Sequence, residues 1–354
     1  MTALSATLEK NAIADAVNNQ SEHQQRLKSK LTRELGGAIN EALRDETTED
    51  ILLNPDGSLW SKRLGQSFTR IGTMPSALAM AALSTIAAFR KTVINHSNPL
   101  METELPGDDS RFEGIIPPVT RAPVFAIRLR PKKIYTIADY VSSGILSSKD
   151  DPLNVHRNHT DFIEHVKGMD HAGILAAAIT ERKNILLVGS TGSGKTTFAN
   201  SILAELARLC PSDRVVLIED TVELQCEVPN VVALRSGGSI EMIDCLRAAM
   251  RLKPNRIIVG EVRGKEALTL LKAWNTGHPG GIATAHADDA YAGLLRLEHL
   301  VAEATNAPQQ HLIAETVDLV VFIAEEPALP ARRKVKQLAY VTGYRDGRYQ
   351  LEYL

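Results

Sequence analysis

The chain has 354 residues, 44% of them hydrophobic, with 40 basic against 42 acidic side chains and a formal net charge of −2. That is enough apolar material for two domains with separate cores, and it excludes the global basic excess by which many proteins gather nucleic acid. The three cysteines, Cys210, Cys226 and Cys245, are an odd number without C-x-x-C spacing, which excludes a disulfide framework or zinc module and suits a reducing compartment.

Residues 1–20 are polar, lack the pattern of a secretory signal and read as a disordered tail. From Glu22 to Arg44 leucine or isoleucine recurs at Leu27, Leu31, Leu35, Ile39 and Leu43, the spacing of one helix face, with Gly36-Gly37 marking a weak point. Two apolar runs around Pro55-Asp56-Gly57 predict a hairpin over 51–60. Pro75–Lys91 reads as a second helix. It is apolar enough to touch a membrane, but better suited to packing a core, and too short and interrupted to span one. A second hairpin, Leu100–Leu105 with Arg111–Ile116, and a strand within Ala122–Arg130 complete an α+β N-terminal domain, 21–146. Polar residues 147–161 read as the linker.

Beyond it, in 162–354, short apolar strands alternate with helical stretches. Strands are expected at Asn184–Val188, Arg214–Glu219, Arg256–Gly260 and Ile282–Ala285, followed by a meander of Leu319–Ala324, Val335–Val341 and Tyr349–Tyr353. The fold class is therefore α/β, a mainly parallel sheet covered by helices and preceded by a smaller α+β domain. The basic run Ala331–Lys336 reads as a solvated turn, with contact to anionic lipid or a partner as the alternative.

The segment Gly189-Ser190-Thr191-Gly192-Ser193-Gly194-Lys195-Thr196, followed by Thr197, satisfies G-x-x-x-x-G-K-[ST] in full. Its glycines let backbone N–H groups turn inward on phosphates, Lys195 can reach the β- and γ-phosphates, and the Thr196 hydroxyl can hold Mg²⁺. The pattern arises by chance in roughly 1 in 100 chains of this length, and here an apolar strand enters it and a helical pattern leaves it, as a phosphate site requires.

Hydrolysis needs a group that orients or deprotonates water. Glu219 (in Ile218–Glu223) and Glu261 (in Gly260–Arg263) both follow apolar strands, and the carboxyl ends of parallel strands are where ligands bind in such sheets. Thr276–His286 brings two histidines, of which His286 closes a strand and could sense the γ-phosphate.

In this order and spacing, Gly189–Thr196, Glu219–Glu223, Arg256–Arg263 and Gly277–His286 resemble the Walker A loop, Asp box, atypical Walker B and His box of the type II/type IV secretion ATPase superfamily. Within it the chain looks most like the TrbB-type conjugal transfer ATPases, on Ile218–Cys226, Ala273–Gly280 and Val341–Tyr344, over roughly residues 100–354. The resemblance implies a RecA-like P-loop domain, ATP and Mg²⁺ as ligands, and a homo-oligomeric ring, usually a hexamer. Such a ring sits in the cytoplasm, in peripheral contact with inner-membrane components of a secretion or conjugation complex. It also implies Glu261 as the residue polarising water, Glu219 as support for metal or water, His286 near the γ-phosphate, and Arg111 and Arg128 closing over the phosphates. Two positions depart from the usual pattern: Asn255 stands where the family often has Asp, and Gly260 where an ordinary Walker B has its metal-holding Asp.

A pilus-assembly or type II secretion motor is the neighbouring alternative. Three scattered cysteines cannot build the tetracysteine module of the type II branch, and the eight positions from His278 to His286 exceed the spacing of pilus-retraction motors. A nucleotide-gated scaffold with little turnover is the alternative from another class. Direct nucleic-acid binding is not expected, because no aromatic-basic stacking pattern is present.

Overall fold

The computed structural model describes residues 3–107, 109–131, 136–146 and 159–354, with side chains described for 22–107, 109–131, 136–146 and 161–354. It divides into two compact units, Met1–Lys133 and Ile134–Leu354. Of the expected linker, residues 147–158 lie outside the described residues.

The first unit opens with α1 (Ala3–Arg44). The backbone is helical from Ala3, where the sequence reading expects a disordered tail: residues 3–20 hold neither Gly nor Pro and include five Ala, the strongest helix former, so nothing in them stops a helix. Gly36, at φ +76°, interrupts the helical conformation. The Asn40 amide donates to the Thr32 and Gly36 carbonyls at 2.7 and 2.6 Å, replacing ladder bonds lost at the kink. Six strands follow: β1 (Thr48–Leu53), β2 (Ser58–Arg63), β3 (Thr69–Thr73), β4 (Leu100–Glu104), β5 (Arg111–Ile115) and β6 (Val124–Arg128), with α2 (Ser76–Phe89) between β3 and β4. They form one antiparallel sheet in the order β3-β2-β1-β6-β5-β4. Leu31, Leu35 and Ile39 of α1 and Leu83 and Ile86 of α2 pack with Ile51, Phe112 and Phe125 of the sheet, so α2 serves a core. β3 escapes the sequence pattern because Ile71 is its single strong apolar residue and the strand sits at an edge.

The second unit contains α3 (Ile137–Ser142), α4 (His159–Val166), α5 (His171–Thr180), β7 (Ile185–Val188), α6 (Lys195–Leu209), β8 (Arg214–Glu219), β9 (Asn230–Arg235), α7 (Met242–Arg251), β10 (Arg256–Val259), α8 (Glu266–Asn275) and β11 (Ile282–Ala285). After β11 come α9 (Ala290–Ala302), α10 (Gln310–Thr316), β12 (Leu319–Glu325), β13 (Arg333–Arg345) and β14 (Arg348–Tyr353). The eight-stranded sheet has the order β14-β13-β12-β7-β11-β10-β8-β9. Strands β7 to β12 run parallel and β13 and β14 return antiparallel as the closing meander. The central strands β7, β8, β10 and β11 are buried throughout, which is why they read as unbroken apolar runs. The basic run at 331–336 is a turn only in part: β13 already begins at Arg333, paired with Glu325, because Val335 and the residues after it carry the ladder of β12 outward.

Two buried arginines lock this sheet at the end opposite the phosphate loop. Arg256 bonds Asp213 at 2.7 Å and the Ile179 and Gly280 carbonyls, while Arg214 donates to the Leu252 carbonyl at 2.6 Å. Asn255 accepts from the Arg214 N–H at 2.7 Å and returns its own N–H to the Arg214 carbonyl, so the residue standing in place of the family's Asp clamps β8 to β10. No described helix is long and apolar enough to cross a membrane.

Candidate functional site

β7 delivers the chain into the loop at Gly189 and α6 carries it away from Lys195, so the loop lies at the amino end of a 15-residue helix whose dipole favours anions. Gly194, the residue before the helix, has φ +94°, a conformation that glycine adopts without strain. Thr191, Gly192, Lys195 and Thr196 line a cavity of about 250 Å³, together with Glu219, Asp220, Thr221, Glu223, Gly260, Glu261, Arg263, Thr284 and His286. Gly189 and Ser190 supply carbonyls, Ser193 is buried inside the loop, and Thr197 is exposed in the first turn of α6.

Lys195 is buried, and its ammonium donates to the Gly189 and Ser190 carbonyls at 3.0 and 2.9 Å and approaches His286 Nδ1 at 3.3 Å. Burial lowers its pKa, and the charge of Glu261 opposes that shift. With a charged Lys195 donating to Nδ1, His286 carries its proton on Nε2, which lies 3.0 Å from Glu261 Oε1. The second oxygen of Glu261 accepts from Arg263 at 2.7 Å, and Arg263 also bonds Asp220. Its hydrogen bond with Glu261 holds the Arg263 pKa above the ordinary range. The result is a continuous chain, Lys195–His286–Glu261–Arg263–Asp220. Arg263 is 61% exposed, so the ion pairs contribute little stability; their effect is to orient Glu261.

Glu219 stands beside this chain. Its Oε1 accepts the N–H groups of Glu223 and Leu224 at 3.0 and 2.8 Å, yet burial dominates and raises its pKa. A β-carbon on Gly260 would stand 3.0 Å from Glu219 Cγ, so the glycine in the Walker B position makes room for the Glu219 side chain. The Thr284 hydroxyl donates to the Gly260 carbonyl at 2.7 Å and fixes that turn.

The fold thus gathers Lys195, Thr196, Glu219, Glu261 and His286 into one cavity. His278 is not in it: Nδ1 faces the Pro254 carbonyl at 2.8 Å, burial lowers its pKa, and its role is to hold the loop before β11. Arg111 and Arg128 belong to the first unit, where they are exposed cross-strand partners on β5 and β6. Arg263, Asp220 and Thr284 are not among the site residues expected from sequence. Spacing alone carries no signal for Arg263, whose contacts with Glu261 and Asp220 arise from the fold.

Comparison with known proteins identifies the family. Residues 159–326 match the family model described as type II/IV secretion system protein. The probable conjugal transfer protein TrbB of Sinorhizobium fredii is 41% identical over 92% of this chain and 93% of its own length. TrbB of Rhizobium radiobacter is 40% identical over 93% and 94%. The chain belongs to the TrbB family of conjugal transfer proteins. More distantly, the type IV secretion system protein VirB11 of Bartonella henselae is 28% identical to this TrbB-family chain, over 85% of the chain and 90% of the relative. The crystal structure of the VirB11 ATPase from Brucella suis shares its fold, with a TM-score of 0.81 at 22% identity, covering 90% of this chain and 96% of that one.

Proposed function

We propose that this TrbB-family chain is an ATPase that works as a ring of its own copies and energises a type IV secretion apparatus for conjugative transfer. The observation that carries the reading is the unbroken chain from Lys195 through His286 to Glu261 around a cavity fronted by the phosphate loop.

The amino end of α6 and the loop N–H groups receive the β-phosphate. Lys195 exchanges its bonds to the Gly189 and Ser190 carbonyls for phosphate oxygens, which satisfies a buried ammonium with full charges in place of dipoles. That exchange releases His286 Nδ1. Glu261, held at both oxygens, orients the attacking water and accepts its proton. Arg263 stabilises the carboxylate in that orientation, and Glu219 lines the same cavity. By the family resemblance, Arg111 and Arg128, exposed cross-strand partners on β5 and β6, are the residues proposed to bring positive charge to the phosphates within the ring.

The donor set fits Mg²⁺: the Thr196 hydroxyl and the carboxylates of Glu219 and Glu261, hard oxygen ligands, all line the cavity. No group of three or more His, Cys, Asp or Glu among the described residues is placed to cage a metal, so Thr196 and the nucleotide would hold the ion between them. When bound, Mg²⁺ neutralises charge developing on the phosphate oxygens. The ring, a hexamer by family resemblance, engages inner-membrane components of the conjugation complex from the cytoplasmic side.

Transfer frequency from a donor lacking the gene tests the reading. The wild-type chain restores transfer, and Glu261→Gln does not although it accumulates to the same level. Restoration by Glu261→Gln would refute the motor role.

A further inference from the structure

The basic run at 331–336 has no part in the chemistry described so far, yet one of its members lies on the phosphate loop. A β-carbon built on Gly194 would stand 2.7 Å from Arg333 Cδ, 2.9 Å from one terminal guanidinium nitrogen and 3.0 Å from Nε. The whole end of the Arg333 side chain is therefore seated on the residue just before Lys195. Its guanidinium makes no hydrogen bond or ion pair with any described residue. Even Glu325, directly opposite it in the β12–β13 ladder, is passed over. Its neighbour Lys336, by contrast, is tied to Glu326.

The sheet order says which part of a nucleotide this arginine meets. β7, which carries the loop, lies between β11 and β12. Glu219 ends β8, and Glu261 and His286 follow β10 and β11, all on one flank of β7, and Lys195 points to that flank through His286. The reacting γ-phosphate must lie there. Arg333 comes from β13, on the opposite flank, beyond β12. A nucleotide whose γ-phosphate is at Glu261 therefore runs its α-phosphate and adenosine toward Arg333. The size of the cavity leads to the same end. At about 250 Å³ it falls below the usual range for a whole drug-sized ligand, and Arg333 is not among its lining residues. The polyphosphate fills the cavity and the nucleoside lies outside it, past Gly194.

We infer that Arg333 binds the α-phosphate–adenosine end of the nucleotide from within the same chain, as a ground-state ligand that sets nucleotide affinity. An unpartnered guanidinium can bond the α-phosphate through its N–H edge and cover the planar base with its face. Because this end of the nucleotide does not change during hydrolysis, the contact is equally strong before and after reaction and acts on affinity, leaving kcat alone.

The inference rests on the proposed nucleotide site, and calorimetric titration of the full chain with ADP and with inorganic pyrophosphate separates the two. The wild-type chain binds both; binding of neither would refute the nucleotide site itself. Arg333→Ala weakens ADP about tenfold, the loss of one charge-assisted contact, leaves pyrophosphate within about twofold and keeps kcat. Arg332→Ala and Lys334→Ala, which remove the same charge from neighbouring positions, leave ADP binding within about twofold. Unchanged ADP affinity in Arg333→Ala, an equal loss for pyrophosphate, or an equal loss in the two neighbouring variants would each overturn the assignment. An unchanged thermal transition of Arg333→Ala, an exposed side chain, shows that the fold is intact.

Discussion

The phosphate loop is only as well placed as β7, and β7 is tied in place at its start by one side chain. Asn184 is fully buried. Its amide donates to the Thr316 carbonyl at 2.7 Å, and its oxygen accepts the N–H groups of Gly280 and Gly281 at 2.8 and 3.0 Å. One residue thus joins the entry of β7 to the entry of β11 and to the segment preceding β12. Asn184→Ala strands one carbonyl and two N–H groups in a buried place. A buried polar group left without a partner costs about 1–3 kcal/mol, and partial rescue by water entering the small space left by the side chain moderates the sum. A net loss of about 4 kcal/mol is expected, which for a unit of this size lowers the transition temperature by roughly 8–16 °C. The assay is thermal unfolding followed by the fluorescence of Trp274, whose buried indole donates to the Ile257 carbonyl at 3.0 Å inside the same sheet. A Trp60→Phe background removes the other tryptophan of the chain. A shift below about 3 °C would refute the reasoning, since it would mean that the three groups find other partners at no cost.

Glu219→Gln should raise the transition temperature of the nucleotide-free protein at pH 7.5. The folded state raises the carboxyl pKa of Glu219, so its favourable contribution is complete only below the unfolded value near 4.5 and is lost as pH rises through the folded value. The gap between variant and wild type should therefore open from about pH 4.5 upward; a gap independent of pH would contradict the assignment to burial. His286→Ala should lower kcat about 100-fold, the scale for losing a positioned donor at developing charge, with ADP affinity within about twofold. A parallel loss of ADP affinity would show that His286 serves binding instead. In Arg256→Met, Asp213 keeps only its bond to Arg182, and loss of one partner from a buried pair costs about 3–5 kcal/mol; an unchanged urea midpoint would sink that reading.

Much of this was legible because the C-terminal unit is built from strands buried on both faces. β7, β8, β10 and β11 show as apolar runs, and each ends in or runs straight into a chemical residue: Gly189 after β7, Glu219 at the end of β8, Gly260-Glu261 after β10 and His286 after β11. A chain that must return to the same end of a parallel sheet brings those positions together, so motif order alone predicts the cavity. β9 was not legible, since Asn230–Arg235 is an edge strand with alternating exposure behind Pro229. Residues 3–20 show the opposite difficulty, with polar composition suggesting disorder while local propensity favours helix. Arg263 and Arg333 could not be placed from spacing, because their roles depend on tertiary approach: one turns back to Glu261 and Asp220, the other crosses β12 to rest on Gly194. Gly260 was visible as a departure from an ordinary Walker B, but its reason, the Glu219 side chain packed against it, required the fold.

The most direct test of the central claim is steady-state phosphate release from Mg-ATP by the purified chain, measured beside Lys195→Ala and Glu261→Gln with the oligomeric mass of each sample. The account predicts turnover by an oligomer, loss of nucleotide binding and turnover in Lys195→Ala, and retained binding with kcat lowered by about 10²–10⁴-fold in Glu261→Gln. Turnover in Glu261→Gln close to that of the wild type would contradict it, because the carboxylate held between His286 and Arg263 would then have no part in activating water.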